Sequence, residues 1–219
     1  ADVSKILLYH TLGAKVLAAQ VPAGPNAAVA TAGGDSIFLT SNANGVFVNG
    51  IKVTQADVAA TNGVIHVIGS VLMPPAGNIV EIAQADTTFS LLVAAVLRAS
   101  QGSTNVAQVL TGAGPFTVFA PTNNAFRAAG FPDAASIQAA EPDVLTSILT
   151  YHVIGARVFS SDLSDGLQPT TVNGGKVTIG LTAGATVKGN ANTTASNIIA
   201  TNIVATNGVI HVIDQVLLP

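Results

Sequence analysis

Ala60-Thr61-Asn62-Gly63-Val64-Ile65-His66-Val67-Ile68 recurs letter for letter as Ala205-Thr206-Asn207-Gly208-Val209-Ile210-His211-Val212-Ile213. Each copy runs on into Val71-Leu72-Met73-Pro74 or Val216-Leu217-Leu218-Pro219. Asn-Gly is a strong hairpin signal, because both residues tolerate positive φ. The Val-Ile-His-Val-Ile that follows is β-branched and apolar on both faces, the composition of a strand covered on both sides. Pro has no N–H to give a sheet and marks the strand's end. The nonapeptide therefore reads as the closing strand of a domain, laid down twice.

A second echo supports the duplication. Ile6-Leu7-Leu8-Tyr9-His10 and Gly13-Ala14-Lys15-Val16 match Ile148-Leu149-Thr150-Tyr151-His152 and Gly155-Ala156-Arg157-Val158. The offset is 148 − 6 = 142 here and 205 − 60 = 145 for the nonapeptide, so the first copy is three residues shorter in between. A loop absorbs that difference at little entropic cost. A repeat this long is a tandem domain, since solenoid units run to about 20–50 residues.

Composition narrows the class. A chain of 219 residues holds one large domain or two ordinary ones. With 49% hydrophobic and 9% charged residues, core material is plentiful and charged surface sparse. The longest apolar stretch, residues 89–97, is about half the roughly 18 residues a membrane span requires, and its period suits an amphipathic helix. No secretory leader opens the sequence, and Ala1 reads as a mature end. A net charge of −3 offers no basic footprint for nucleic acid, and the lack of Cys excludes disulfides and thiolate chemistry. Richness in Ala, Thr, Asn and Gly leans towards an exported protein.

Along the chain, Val3, Ile6, Leu7 and His10 fall on one helical face, and Gly13 ends that helix. Residues 14–21 read as a strand and 22–25 as a loop. Residues 36–40, 46–48 and 51–54 then form a β-meander before the closing strand. Residues 75–77 are a linker. Asn78 caps a helix over 79–85, and Phe89, Leu92, Val93, Val96 and Leu97 make the stripe of a second. A short helix over 105–110 precedes a buried strand at 116–120, stopped by Pro121. Thr122 or Asn123 caps the helix carrying Phe126, and another covers 134–140. Glu141-Pro142-Asp143 opens the next, with Pro in the first turn and acid at the positive dipole end. That helix runs to Tyr151-His152, with Leu145, Ile148, Leu149 and His152 on one face. Strands follow at 156–160, 170–172, 176–181, 186–188 and 198–205. Helices first and strands afterwards argue an α+β domain.

These residues resemble a known family. Phe116-Thr117-Val118-Phe119-Ala120-Pro121-Thr122-Asn123-Asn124-Ala125-Phe126 is similar to the first signature box of the fasciclin-1 (FAS1) domain. Tyr151-His152 resembles its central Tyr-His motif, and residues 207–214 its second box. The resemblance implies a FAS1-like fold in tandem, a β-sheet wedge or sandwich with several packed helices. It also implies a fasciclin-like adhesion protein. Residues 78–219 carry all three motifs in order, whereas residues 1–74 carry Tyr9-His10 and the second box but not the first. Subtracting 142 sets Ala1 opposite Asp143, so residues 1–74 hold no counterpart of residues 78–142. The division is thus a first domain without its N-terminal half (1–74), a linker (75–77) and a complete domain (78–219). A sheet face left uncovered is unstable or sticky. Either the native polypeptide extends upstream, or another chain supplies the missing half by strand exchange or an oligomer contact.

The chemistry implied is that of recognition. His10, His66, His152 and His211 sit at matched positions, but no local cluster supplies the three or four ligands zinc takes. They read as structural core histidines, like Asn207 and Gly208 beside them; metal or enzymatic use of the matched histidines is the alternative. No nucleophile elbow, dinucleotide loop or P-loop is present, and no cofactor is implied. In animal members of the family the region of the Tyr-His motif and an acid-Pro-Asp stretch upstream contribute to integrin binding. The resemblance thereby nominates Glu141, Pro142, Asp143, Tyr151, His152, Tyr9 and His10 for partner contact; a helix cap explains the first three equally well. Asn192-Thr193-Thr194 is a glycosylation sequon within a loop. The expected partners are cell-surface or matrix proteins, polysaccharides or other FAS1 domains, met outside the cell, at its surface or in a periplasm. A passive spacer is the third reading.

Overall fold

The computed structural model describes residues 2–219, which fall into two units: the chain up to Pro75 with Val158–Asp162, and Ala76–Arg157 with Leu163–Pro219. In the first, Asp2 accepts from the Ser4 N–H and starts helix α1 (Val3–Tyr9). Five strands follow as an antiparallel meander in chain order: β1 (Gly24–Ala30), β2 (Ser36–Asn42), β3 (Gly45–Val48), β4 (Ile51–Ala60) and β5 (Gly63–Ile68). Asn49 and Gly50, at φ 49° and 77°, make the β3–β4 turn in left-handed conformations that a short amide side chain tolerates and that the lack of a Cβ allows. Tyr9, Ile37, Leu39, Val48 and Leu72 form the core.

Several local expectations need correction; residues 170–172, for one, form no strand, and Thr170 makes only an isolated bridge to Lys176. Residues 14–21 form no strand; a 3-10 turn spans Ala18–Gln20 instead. There the Gln20 side chain takes the Leu17 N–H and Asp57 takes the Ala18 N–H, so donors a sheet would use are occupied locally. At Asn62-Gly63 and Asn207-Gly208 neither residue has positive φ. Gly63 already pairs with Ala60, and Gly208 with Ala205, so each glycine is the first residue of its strand. Residues 156–160 are not a strand either. Val158–Asp162 belongs to the first unit, where the Phe159 ring lies 6.0 Å from Phe38 and Asp162 accepts from Asn26 and Thr40.

The second unit opens with a reciprocal cap. Asn78 accepts from the Val80 and Glu81 N–H groups, and Glu81 accepts from the Asn78 N–H, starting α2 (Ile79–Ala85). Helices α3 (Ser90–Ala99) and α4 (Val106–Thr111) precede strand β6 (Phe116–Pro121). Thr122 caps α5 (Asn123–Ala128) and Asp133 caps α6 (Ala134–Ala139); α7 (Pro142–Tyr151) follows. Strands β7 (Val153–Ile154), β8 (Thr178–Gly180), β9 (Thr186–Lys188), β10 (Ser196–Ala205) and β11 (Gly208–Ile213) complete a sheet of order β7-β6-β11-β10-β9-β8. The central pair β6–β11 is parallel and the other pairs are antiparallel. Helices cover one face through Ile79, Leu92, Val96, Leu145 and Leu149, while Phe119, Tyr151, Ile179 and Leu217 fill the other. All six residues of β11 are buried, as a strand covered on both sides requires.

The duplication extends to backbone irregularities. Asp57 and Asn202, at φ 59° and 63°, break the β4–β5 and β10–β11 registers at matched places. Short polar side chains tolerate that conformation, and each bulge bends its long strand.

Candidate functional site

The Tyr-His motif is built alike in both units. At the end of α7 the His152 Nδ1 lies 2.8 Å from the Ile148 carbonyl, and the Leu217 N–H donates to Nε2 at 2.9 Å. An Nε2 that accepts must be unprotonated, so the ring is neutral with its proton on Nδ1. Burial pushes the His152 pKa down to about 4, against a smaller upward pull from the Ile148 carbonyl. In the first unit His10 Nδ1 meets the Ile6 carbonyl at 2.8 Å and its Nε2 accepts from the Leu72 N–H at 3.0 Å. The tyrosines do related work. Tyr151 donates to the Lys176 carbonyl at 2.5 Å and accepts from the Asn190 N–H; Tyr9 donates to the Ser36 carbonyl and accepts from the Asn49 amide. The motif ties the end of a helix to the tail beyond the closing strand. Tyr9, Tyr151 and His152 are buried, and His10 is exposed.

A second node surrounds the nonapeptide. Asn207 Oδ1 accepts from the Ile79 N–H at 3.0 Å, and its Nδ2 donates to the Leu110 and Gly112 carbonyls at 2.8 Å each. One amide thus satisfies the free N–H at the start of α2 and free carbonyls at the end of α4. Beside it, a Cβ on Gly208 would strike the Phe116 carbonyl oxygen and come within 2.7 Å of Ile79. Gly208 lets β6 approach. His211 lies buried with its ring 5.8 Å from Phe119, and His66 bonds the Val16 carbonyl at 2.8 Å.

Glu141 and Asp143 stand exposed at the α7 start, with half-buried Pro142 in the first turn and exposed Val144 beside them. Asp143 accepts from the Ser103 backbone N–H at 2.9 Å and the Ser103 hydroxyl at 2.8 Å. These donors hold its carboxyl below the usual carboxylate range. The acid is therefore fixed against the loop before α4 and presented to solvent at one orientation.

The remaining features carry little chemistry. An apolar cavity of about 60 Å³ lies among α2, α3, α4 and the sheet, with Leu92, Val96, Leu110, Phe119 and His152 in its wall. Both His152 nitrogens are engaged elsewhere, so the ring offers the cavity only carbon. Among the described residues no cluster of three or more His, Asp or Glu is placed to hold a metal ion. Two contributors have a structural role that the sequence did not announce. Arg157, the counterpart of Lys15, donates to the Gly208 and Ala205 carbonyls across the β10–β11 turn. Asn192, read from the sequence as a sequon, donates to the Val216 carbonyl and accepts from the Leu218 N–H. Its amide nitrogen is occupied in the fold. Among the described residues no single helix is long and apolar enough to cross a membrane.

Comparison with known proteins agrees with this geometry. A model described as "Fasciclin domain" matches residues 1–74 and 87–219. Protein sll1483 of Synechocystis sp. is 40% identical over 154 residues, covering 70% of this chain and 79% of that one. The pig transforming growth factor-beta-induced protein ig-h3 is 30% identical over 220 residues, covering 97% of this chain but 30% of its own length. Human periostin is 31% identical over 186 residues, 84% of this chain and 21% of its own. Among solved structures, a FAS1 domain pair from the insect cell adhesion molecule fasciclin I superposes with a TM-score of 0.54 at 21% identity, covering 100% of this chain and 80% of that one. That likeness concerns the fold.

Proposed function

We propose, since the chain belongs to the Fasciclin domain family, that it is an adhesion module acting outside the cell, at its surface or in a periplasm, which binds a protein or polysaccharide partner and performs no chemistry. One observation carries the reading: the polar side chains of the family motifs are engaged in holding the fold together. Tyr151, His152 and Asn207 hold helices to the sheet and tail. Recognition then falls to the outer skin. The best surface element is the α7 start, where Glu141, Pro142 and a pinned Asp143 present fixed acid beside exposed Val144. Tyr151 and His152 act on a partner only by fixing the far end of the same helix. The solved FAS1 pair from a cell adhesion molecule and the animal relatives favour this class over an enzyme.

The test is attachment. The full chain is immobilised and challenged with cells, a panel of purified matrix proteins, and neutral and acidic polysaccharides. Binding should appear for the parent and fall at least about tenfold, some 1.4 kcal/mol, in Glu141→Lys combined with Val144→Ser. Both side chains are exposed, so the melting temperature should fall by only a few degrees, through the loss of acid at the positive end of α7. No binding by the parent would leave a passive spacer as the better description. A stoichiometric ion found by elemental mass spectrometry would overturn the non-catalytic reading.

A further inference from the structure

Protein interiors hold few voids larger than a water molecule, and unfilled space costs the fold stability. The second unit keeps a cavity of about 60 Å³ between its helices and its sheet. Val118, Phe119 and Leu149 lie buried in its wall, Ala83 and Ala107 are half-buried, and Gln84 and Leu97 are exposed. The space therefore begins against the sheet and opens to solvent between α2, α3 and α4. An alanine on α2 and another on α4 keep it open, since a longer aliphatic side chain at either place would occupy it.

The lining selects the chemistry of what enters. Among the described residues no charged side chain lines the cavity, and only Gln84 and His152 bring side-chain polar atoms to it. His152 has both nitrogens committed, Nδ1 to the Ile148 carbonyl and Nε2 to the Leu217 N–H, and Gln84 stands at the exposed mouth. A buried water needs about two to four polar partners, which the inner wall does not supply, so the space stays dry. Size narrows the class further. An engineered apolar cavity of about 150 Å³ holds benzene, and at about 60 Å³ this one is less than half as large. An aromatic ring is too large, whereas the end of an unbranched alkyl chain fits, with its remaining length leaving past Leu97.

We propose that this cavity binds the alkyl chain of a single neutral amphiphile taken from water, inserted end-first between α2, α3 and α4. A neutral hydroxyl or carbonyl head suits the mouth, where Gln84 can hydrogen-bond and no lining cation meets an anion. The site is not the acidic start of α7, none of whose residues lines it, and it stands whatever the outcome of the attachment test.

The experiment follows the carbon-bound ring protons of the histidines by NMR while the full chain is titrated with hexanol, heptanol, octanol and octanoate. His152 lies in the wall, so its ring signals and the methyls of Leu92, Val96 and Leu149 should shift and saturate. Those of His10 and His66, in the first unit, should stay unmoved. Kd should tighten about fourfold per added methylene, the factor that burying a CH2 supplies, and octanoate should bind more weakly than octanol. Ala83→Leu should remove the saturable shifts without lowering the melting temperature. Shifts spread equally over His10 and His66, no dependence on chain length, or octanoate binding as tightly as octanol each overturn the proposal. So does octanol binding that survives in a folded Ala83→Leu chain; if that variant fails to fold, the parent's chain-length series and head-group preference decide alone. Phosphatidylcholine vesicles that shift His152 where octanol does not would make membrane lipid the occupant. Isobutanol binding more tightly than butanol would point to a branched protein side chain. Either result sinks the proposal.

Discussion

Acidification should loosen the second unit through one buried imidazole, and the size of the effect follows from the geometry. Neutral His152 accepts the Leu217 N–H on Nε2 and gives its Nδ1 proton to Ile148. Protonating Nε2 would set a donor against a donor and place a charge in apolar surroundings. The folded pKa is accordingly depressed to about 4, whereas an unfolded histidine titrates near 6.5. The unfolded state takes the proton first. Stability is thus fully present above about pH 6.5 and is lost as pH falls towards 4. A gap of roughly 2.5 units at 1.36 kcal/mol each gives about 3 kcal/mol in total, of which about 2 is lost by pH 5. Urea midpoints across pH 4.5–7.5, followed by the amide resonances of the second unit, measure it in the parent and in His152→Gln. Subtracting the curves removes the carboxylates common to both, including Asp143. It also removes Asp214, where burial pushes the pKa up but donors from Asn197 and Ser196 outweigh it and hold it low. The difference should change by about 1.2 kcal/mol per pH unit near pH 5. Parallel curves, or a His152 ring resonance titrating near 6.5 in the folded protein, would refute the argument.

Two paired comparisons use the repeat as its own control. Asn207→Ala strands one N–H and two carbonyls inside the second unit, each costing about 1–3 kcal/mol, so a loss of roughly 3 kcal/mol or more should appear in urea unfolding. In the parent chain Asn62→Ala should fall within about 0.5 kcal/mol of zero, as exposed sites do. Gly208→Ala drives a methyl into the Phe116 carbonyl and should destabilise by several kcal/mol or prevent folding, while Gly63→Ala, with nothing within 4 Å, should leave the melting temperature nearly unchanged. Equal effects at the twin positions would show that the two environments are alike in solution.

Local pattern and tertiary environment divide what was legible in the residues. Caps placed α2 and α5 because a side chain within three residues meets the free N–H groups, and Pro142 in the first turn placed α7 without a capping side chain, so all the information needed is adjacent in sequence. Strands β2, β3 and β4 were legible through alternation and turn residues and the closing strands through their β-branched apolar run, whereas β1 was not read. Residues 14–21 misled because Gln20 and Asp57 take the donors that a β-rich composition offers to a sheet, and Asp57 lies 39 residues away from the Ala18 it bonds. Residues 156–160 misled because Val158–Asp162 is part of the first unit, where the Phe159 ring lies beside Phe38. Of the candidate site, the structural cast of His152 and Asn207 was readable from apolar flanks, yet their partners were not. Ile79, Leu110 and Gly112 are 95 to 128 residues from Asn207, and no spacing rule reaches that far.

The repeated nonapeptide separates two effects that usually arrive together. Its β-branched residues dictate an extended strand in both units, with the same pairing and the same bulge opposite it. They do not dictate burial, which rests on whether β6 and the helices lie alongside. A side chain such as Ile65 makes the point in energy. Fully burying an isoleucine is worth roughly 1.5–3 kcal/mol, and at 55% exposure about half of that is unrealised in the first unit and realised at Ile210 in the second. Strand formation in β5 is therefore sustained by β4 and by the Tyr9–His10 clamp, which are complete in both copies. It follows that β5 and β11 are alike as strands and unlike in protection. Amide exchange at residues 63–68 should therefore be faster than at 208–213, with both strands fully formed.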